Sequence, residues 1–145
     1  MNPDLFAAAT DACEQHPQNG TPDRISRTVR DLAGQIVQVR EGVGTGAEAA
    51  TVTTAYTRNG RVRFLVDGNG NRSEMRYDGH DRLVRQVFPS ATPPAGYVDT
   101  TPATALQTAG TVNELDYELS TLDPAGNVTT RRLRDGRRSA SATTT

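Results

Sequence analysis

The sequence predicts an all-β fold in which consecutive antiparallel β-hairpins form part of an open, curved sheet. Turn signals recur about every ten residues, and the segments between them alternate polar with apolar residues, as half-buried strands do. The stretch 56–83 holds two near-copies, 21 residues apart, of one pattern: an aromatic residue, a short polar turn, a basic residue and an aliphatic residue. A hairpin that recurs in this way is typical of repeat architectures.

The chain is predicted to begin with an irregular lead-in over residues 1–23, where closely spaced prolines and a glycine interrupt regular structure. Hairpin repeats then extend over residues 24–138. The first hairpin pairs segment 25–30 with segment 35–40 and reverses at Gly34. A glycine-rich connection leads from it to the second hairpin.

The second hairpin reverses at Asn59-Gly60. This dipeptide favours a two-residue hairpin loop, because both residues adopt positive φ readily. Segment 51–58 before it is rich in β-branched residues, and segment 61–66 after it alternates. One face of segment 61–66 is apolar and consists of Val62, Phe64 and Val66.

A second kind of turn, Asp-Gly-Asn-Gly-Asn at 67–71, leads into segment 72–77. In this segment Met75 and Tyr77 are predicted on one face and three charged residues on the other, which again is the alternation of a half-buried strand. Cross-strand pairs between such segments are each expected to contribute about 0.2–1 kcal/mol. Segment 83–88 closes this block of hairpins.

The remainder of the chain holds a long connection and one further hairpin. Residues 89–110 are rich in proline, threonine and alanine and show no periodicity, which predicts a long loop. Segments 114–122 and 127–134 predict the last hairpin, around the turn Asp-Pro-Ala-Gly-Asn at 123–127. Residues 139–145 are of low complexity and predict a disordered tail.

The repeated motif predicts which residues matter, and it predicts that they act through conformation. Glycine and asparagine are expected at reversals, while the aromatic and aliphatic members pack between hairpins together with Phe64 and Val66. Arg30 and Leu133 take the place of the tyrosine, and Asp81 stands where a turn glycine is expected. The predicted motif positions are Gly34, Tyr56, Asn59, Gly60, Asp67, Gly70, Asn71, Tyr77, Asp78, Arg82, Leu83, Asp123, Gly126 and Asn127.

The alternation of Y-D, a turn and R-L with D-x-x-G-N-x-[ST] resembles the YD-repeat, or Rhs, family. Its members are large bacterial surface and secreted proteins that include polymorphic toxins and Tc-toxin shells, with the animal teneurins as relatives. The resemblance covers residues 25–138, and Tyr77-Asp78 is its literal Y-D pair. Several copies of the motif in similar phase make the resemblance more specific than any one turn.

The resemblance implies a structural role without catalysis. In this family such hairpins wind side by side into a hollow shell that encloses a toxic C-terminal domain until delivery. The partners implied are neighbouring repeats of a larger polypeptide and an enclosed toxin domain, in a protein that is secreted or held at the cell surface. The alternative is a cell-surface module whose loops, such as 89–110, bind carbohydrate or a partner protein, and a glycan array would distinguish the two.

The composition also predicts a segment of a longer protein. Hydrophobic residues make up 34% of the chain, aromatic residues make up 5%, and tryptophan is absent. Soluble domains usually contain about 45–50% apolar residues, counted with glycine. So little apolar mass in strand-like sequence is typical of a solenoid slice, whose repeats bury their faces against neighbours.

Charge and targeting signals exclude several classes of function. The net charge of −1, with 16 basic and 17 acidic residues interspersed, provides no overall field that would attract nucleic acid or an anionic membrane. No apolar run approaches the length of a membrane span, and residues 1–15 lack the features of a signal peptide. A single cysteine, Cys13, permits no internal disulfide.

Two motifs suggest a ligand, but each has a simpler structural explanation. The glycines of 42–46 lack the following helix that a dinucleotide site requires, so a flexible loop is favoured and no cofactor is expected. Residues Asp67, Asn69, Asn71, Ser73 and Asp78 match the spacing of an EF-hand calcium loop, but Arg72 occupies the position that requires glycine. A polar turn with glycine at positive φ explains the pattern without a metal.

Catalysis and nucleic-acid binding are not expected either. His80 lies at the tip of a predicted turn, and a nucleophile with an oriented base needs a buried pocket that a turn does not offer. His16 and Cys13 add too few ligands for a zinc site. The arginines of 131–138 lack interleaved aromatic residues, so a solvated strand face is the simpler interpretation.

Overall fold

A computed structural model describes residues 24–140 of the chain. Within this range the fold is one open antiparallel sheet in which every strand pairs with its neighbours in sequence, so the all-β prediction is confirmed. One short helix accompanies the sheet in these residues. The elements are β1 (Arg27–Arg30), β2 (Ile36–Glu41), β3 (Ala49–Tyr56), β4 (Val62–Asp67), β5 (Arg72–Tyr77), β6 (Leu83–Pro89), α1 (Pro102–Thr108), β7 (Val112–Leu122), β8 (Val128–Arg132) and β9 (Arg138–Ala140).

The connections alternate between the two ends of the sheet, as they must in a meander. The turns that follow β1, β3, β5 and β7 lie at one end, and we call these four turns, 31–35, 57–61, 78–82 and 123–127, the turn row. Each hairpin of the turn row has a one-residue register shift close to its turn. The hairpins reversing at 67–71 and 133–137, at the other end, keep a continuous register. An extra residue of this kind bends a strand and increases its twist.

The long connection between β6 and β7, residues 90–111, folds back over the sheet, and we call it the strap. Its base is closed by a hydrogen bond from the Ser90 N–H to the Thr111 carbonyl (2.9 Å). The strap contains α1, which the sequence analysis did not predict. Thr101 caps the helix by accepting a hydrogen bond from the Thr104 N–H, and Pro102 occupies the first turn, where its missing N–H costs nothing. Seven residues are too few to show a helical period.

The core is small because the sheet has only one covering element in the described residues. Four apolar side chains there are buried, namely Ala50, Val66, Val87 and Ala105. The buried polar residues outnumber these by one and comprise Gln38, Arg40, Thr53, Thr54 and Glu74. Ala105 belongs to α1, which packs against β3. Much of both sheet faces is therefore left partly solvated.

The predicted ends of the chain need one correction. Ser139 and Ala140, placed by the sequence analysis in a disordered tail, form part of β9 and pair with Arg131 and Thr130. The tail prediction was wrong for these two residues because a turn at 133–137 returns the chain to the sheet. The lead-in predicted for 1–23, and the tail beyond residue 140, lie outside the described residues. No helix within 24–140 is both long and apolar enough to cross a membrane.

Candidate functional site

The tight turns are the predicted site of function, and six of them share one geometry. In each, the N–H of the fourth residue donates to the carbonyl of the first, and the N–H of the first donates to the carbonyl of the fifth. The fourth residue has positive φ, at Gly34, Gly60, Gly70, Asp81, Gly126 and Gly136. This is the three-residue hairpin loop with a residue of left-handed conformation at its end.

The prediction of a two-residue loop at Asn59-Gly60 was therefore wrong in detail. Gly60 has φ +78°, whereas Asn59 is not among the positive-φ residues. The loop is one residue longer than predicted, because the Thr57 N–H pairs with the Arg61 carbonyl at 2.7 Å. The two kinds of turn that the sequence suggests are thus one backbone structure.

Asp81 is the one non-glycine residue with positive φ in the described residues, at +58°. Aspartate stands here where the repeat predicts glycine, and aspartate is among the residues that tolerate this conformation. Both of its carboxylate oxygens accept hydrogen bonds from the Asn59 side-chain amide, each at 3.0 Å. Asp81 thereby joins the turn at 78–82 to the turn at 57–61.

A carboxylate at the first position stabilises several of the turns. Oδ1 of Asp67 accepts from the backbone N–H groups of Asn69 and Asn71, at 2.9 and 3.0 Å. Oδ1 of Asp78 accepts in the same way from His80 and Arg82. Such bonds are the usual reason for aspartate at the start of a turn.

The second carboxylate oxygen accepts from the side chain four residues later. Asn71 donates to Asp67 at 3.0 Å, Asn127 donates to Asp123 at 3.1 Å, and the Arg82 Nε donates to Asp78 at 2.7 Å. The D-x-x-G-N and Y-D-x-x-x-R patterns therefore form the same side-chain hydrogen bond across the turn, with asparagine as the donor in the first and arginine in the second.

These hydrogen bonds also set the charge state of the turn carboxylates. Partial burial raises the pKa of Asp67, but the hydrogen bonds from Asn71 and Asn69 outweigh it and hold that pKa below its usual value. Desolvation likewise opposes the Arg82 and His80 hydrogen bonds at Asp78, where the net pKa is again lowered. The backbone and side chain of Asn127 lower the pKa of Asp123. The turns that begin at Asp67, Asp78 and Asp123 are thus built around ionised carboxylates.

The two predicted tyrosines link one hairpin of the turn row to the next. The Tyr56 hydroxyl donates to the Ile36 carbonyl, and the Tyr77 hydroxyl donates to the Val62 carbonyl, both at 2.6 Å. Arg82 extends the series by donating from Nη1 to the Asp123 carbonyl at 3.0 Å. The two tyrosines are partly buried. Leu83, which was also expected to pack between hairpins, is instead 47% exposed.

The phase of the last repeat differs from the sequence prediction. Leu133 accepts the turn hydrogen bond from Gly136 and so takes the place of Asp78, not of Tyr77. Arg132 occupies the tyrosine position, because β8 is shorter than β5 by one residue. The two Asp-x-x-Gly-Asn turns also lie at opposite ends of the sheet, so a turn's sequence type does not determine its end.

Replacing Gly60 with valine is expected to lower the free energy of unfolding by about 2 kcal/mol, since a β-branched residue fits poorly at φ +78°. Arg58→Ala, an exposed position in the same turn, should change it by no more than about 0.5 kcal/mol. Urea denaturation of both variants measures the difference, and equal losses would contradict the turn assignment.

The calcium-like spacing does not produce a convergent set of ligands. Asp67 and Asp78 belong to turns at opposite ends of β5, and the Asp67 carboxylate is already engaged by its own turn. Among the described residues no three acidic, histidine or cysteine side chains are grouped so that they could hold a metal ion.

We therefore expect millimolar calcium to leave the melting temperature of the protein unchanged. Differential scanning calorimetry with and without calcium measures this directly, and the same scan with magnesium controls for ionic strength. A rise in melting temperature that increases with calcium concentration and is absent with magnesium would contradict this interpretation.

The other predicted candidates have structural partners. The glycine-rich loop leads directly into β3, and its Gly42 and Gly44 have positive φ. The backbone N–H of His80 donates to Asp78 within its turn. Three of the five arginines in the basic run pair with neighbouring acids. Arg131 pairs with Glu118 at 3.0 Å, and Arg134 and Arg137 form ion pairs of the same kind with Asp116 and Asp135.

A second polar site, under the strap, was missed by the sequence analysis. The Asp99 carbonyl accepts from Gln38 Nε2 at 3.1 Å and from Arg40 Nη1 at 2.5 Å. Its carboxylate Oδ2 accepts from the Ala50 N–H at 2.6 Å. Arg40 also donates to Glu48 at 2.8 Å, and this bond is the main reason that the pKa of Glu48 is lowered. We call Gln38, Arg40 and the Ala50 N–H the Asp99 slot.

The strap is held near the turn at 67–71 as well. The Gly110 N–H donates to the Gly70 carbonyl at 2.9 Å, and Arg72 donates to the Leu106 carbonyl. The ring of Tyr97 packs so closely on Gly70 that a Cβ built on that glycine would lie 2.5 Å from the Tyr97 Cγ. Tyr97, the one aromatic residue of the strap, therefore faces the protein.

The comparisons with known proteins give a fold likeness only. No protein-family model and no curated protein matches the chain. Several solved structures are similar, among them the crystal structure of TcdB2-TccC3-TEV, with a TM-score of 0.46 and 14% sequence identity. That match covers 94% of this chain and 9% of the other, so the chain spans about a tenth of the length of the protein it resembles.

Proposed function

We propose that this chain is a structural, non-catalytic segment of a larger repeat protein of the YD-repeat kind. Its hairpins would form part of the wall of a shell that encloses a C-terminal toxin or effector domain. The parent protein would be bacterial and either secreted or displayed at the cell surface. The chain's partners would then be the neighbouring repeats and the enclosed domain.

The observation that carries this proposal is the open sheet with two unpaired edges. β1 pairs only with β2, and β9 pairs only with β8, within the described residues. Each outer strand therefore presents backbone N–H and C=O groups that a further hairpin would satisfy. The links from Tyr56, Tyr77 and Arg82 to the preceding or following hairpin can be continued in either direction without changing the fold.

The small core supports the same proposal. Four buried apolar side chains in 24–140 supply little hydrophobic stabilisation for so many ordered residues. In repeat proteins, stability comes from the interfaces between neighbouring units as well as from each unit. A segment of such a protein is expected to be only marginally stable when it is removed from its neighbours.

The experiment is to measure unfolding of the isolated chain and of the chain extended on both sides by the sequence encoded in its genomic neighbourhood. We expect the extended protein to unfold at higher urea concentration and with a larger m-value, because more surface is exposed. Further Y-D and D-x-x-G-N copies should occur in the added sequence. A sharp, reversible transition of the isolated monomer that extension leaves unchanged would contradict the proposal.

Enclosure of a toxin is tested separately, on the complete parent protein. Limited proteolysis should leave its C-terminal domain intact while the shell is closed and degrade it after the shell is opened by denaturant. A C-terminal domain that is cleaved at the same rate in both states would exclude enclosure. The segment role itself would survive that result.

A further inference from the structure

Two asparagine–glycine pairs occupy the same places in equivalent turns. Asn69-Gly70 and Asn59-Gly60 are the third and fourth residues of the turns at 67–71 and 57–61. In each, the glycine N–H donates to the carbonyl of the first turn residue at 3.0 Å. The two pairs therefore start from the same backbone geometry and can be compared directly.

An asparagine that precedes glycine can modify itself. The glycine backbone nitrogen attacks the asparagine Cγ and a new C–N bond forms. The bond from Cγ to Nδ2 breaks, and ammonia leaves with the proton of the attacking nitrogen. Water then opens the resulting succinimide to give aspartate or isoaspartate, so water is the only co-reactant. Glycine permits the attack because it has no Cβ to obstruct the required rotation of the peptide.

The rotation must break the turn hydrogen bond of the glycine N–H, so contacts that hold either residue slow the reaction. Gly70 is buried and tightly held. A Cβ built on it would lie 2.5 Å from Cγ of Tyr97 and 2.9 Å from Cγ of Pro94, and its carbonyl accepts the Gly110 N–H. The Asn69 side chain, in contrast, is exposed and has no hydrogen bond to another residue of 24–140.

The turn at 57–61 is held in the opposite way. Gly60 is exposed, and a Cβ there would meet only the flexible end of the Gln35 side chain, at 3.1 Å. The Asn59 amide is fixed instead, because its Nδ2 donates to both carboxylate oxygens of Asp81. One pair is thus restrained at its glycine by the strap, and the other is restrained at its asparagine by a neighbouring turn.

We propose that Asn69-Gly70 is a self-modification site that the strap keeps inactive. While Tyr97 and Gly110 hold Gly70, Asn69 remains an amide, and release of the strap allows its conversion to aspartate or isoaspartate. Isoaspartate lengthens the backbone of the turn, so Gly70 no longer fits beneath Tyr97. Conversion to isoaspartate therefore makes the release of the strap irreversible, and either product records that release has occurred.

The test follows deamidation in the full chain at mildly alkaline pH, by peptide mapping with mass spectrometry. A third pair, Asn19-Gly20, lies outside the described residues and serves as the internal reference in every sample. Tyr97→Ala is expected to raise the rate at Asn69 about tenfold relative to that reference, which corresponds to about 1.4 kcal/mol, and to leave Asn59 unchanged. Asp99→Asn, which loosens the strap away from Gly70, should raise the Asn69 rate alone and by less.

The matched control is Asp81→Gly, which keeps a residue suited to positive φ but removes the bonds to the Asn59 amide. It should raise the rate at Asn59 about tenfold and leave Asn69 unchanged. An Asn69 rate that neither strap variant raises would overturn the proposal. So would strap variants that accelerate Asn59 and Asn69 equally, because that result would indicate general unfolding instead of strap release.

Discussion

Gly70→Ala is expected to lower the free energy of unfolding by about 2–5 kcal/mol, the sum of two separate costs. The residue has φ +83°, which costs an alanine about 1–2 kcal/mol. The added methyl would also overlap the Tyr97 ring and Pro94, at 2.5 and 2.9 Å, and relief of such overpacking costs typically about 1–3 kcal/mol. Urea denaturation measures the total.

The matched control for this substitution is Gly34→Ala. Gly34 has nearly the same φ, +82°, but a Cβ there would have no atom within 4 Å. It should therefore lose only the conformational cost of about 1–2 kcal/mol. If the two variants were equally destabilised, the close packing of the strap on the turn at 67–71 would be refuted.

Asp99→Ala is expected to cost about 2 kcal/mol, because it removes the acceptor of the Ala50 N–H and leaves the Arg40 charge with Glu48 as its carboxylate partner. Removing one partner of a largely buried pair is costly since the other keeps its desolvation penalty. The side chain of Arg40 is only 7% exposed, so solvent compensates little for the loss.

Two controls separate this effect from a general effect of the strap. Asp99→Asn keeps an oxygen that the Ala50 N–H can use and should lose less than half as much. Val98→Ala changes an adjacent side chain that is 42% exposed, and it should be close to neutral. Thermal unfolding of the three variants is the measurement. A Val98→Ala variant as unstable as Asp99→Ala would rule out a specific role for the Asp99 slot.

The sequence predicted the strands and reversals because both depend on local chemistry. Alternation in 61–66 and 72–77 places strands there, and β4 (Val62–Asp67) and β5 (Arg72–Tyr77) follow it closely. A reversal needs glycine because one of its residues must adopt a positive φ. Gly34 and Gly126 can therefore be recognised without tertiary information. Even the departure at Asp81 was visible from the aligned copies.

The strap and its slot were not predictable in the same way, because they depend on contacts between distant residues. Gln38 and Arg40 are separated from Asp99 by 61 and 59 residues, and nothing local distinguishes a polar side chain that will be buried from one on a solvated face. A partial signal existed, because Gln38 and Arg40 share one face of β2 (Ile36–Glu41) while Val37 and Val39 lie on its other face. The loop length identified the segment but not what it covers.

The outermost strands have a consequence for how copies of this chain behave in solution. Within residues 24–140, Arg30 lies on β1 and Arg138 lies on β9, both exposed and neither in an ion pair with another described residue, so each outer strand carries a positive charge. Two separate molecules that approach edge to edge therefore repel each other, which discourages fibre formation by strand addition. A hairpin tethered in the same polypeptide has a high effective concentration and can pair despite the charge. The arginines thus favour growth of the sheet along one covalent chain over growth by aggregation.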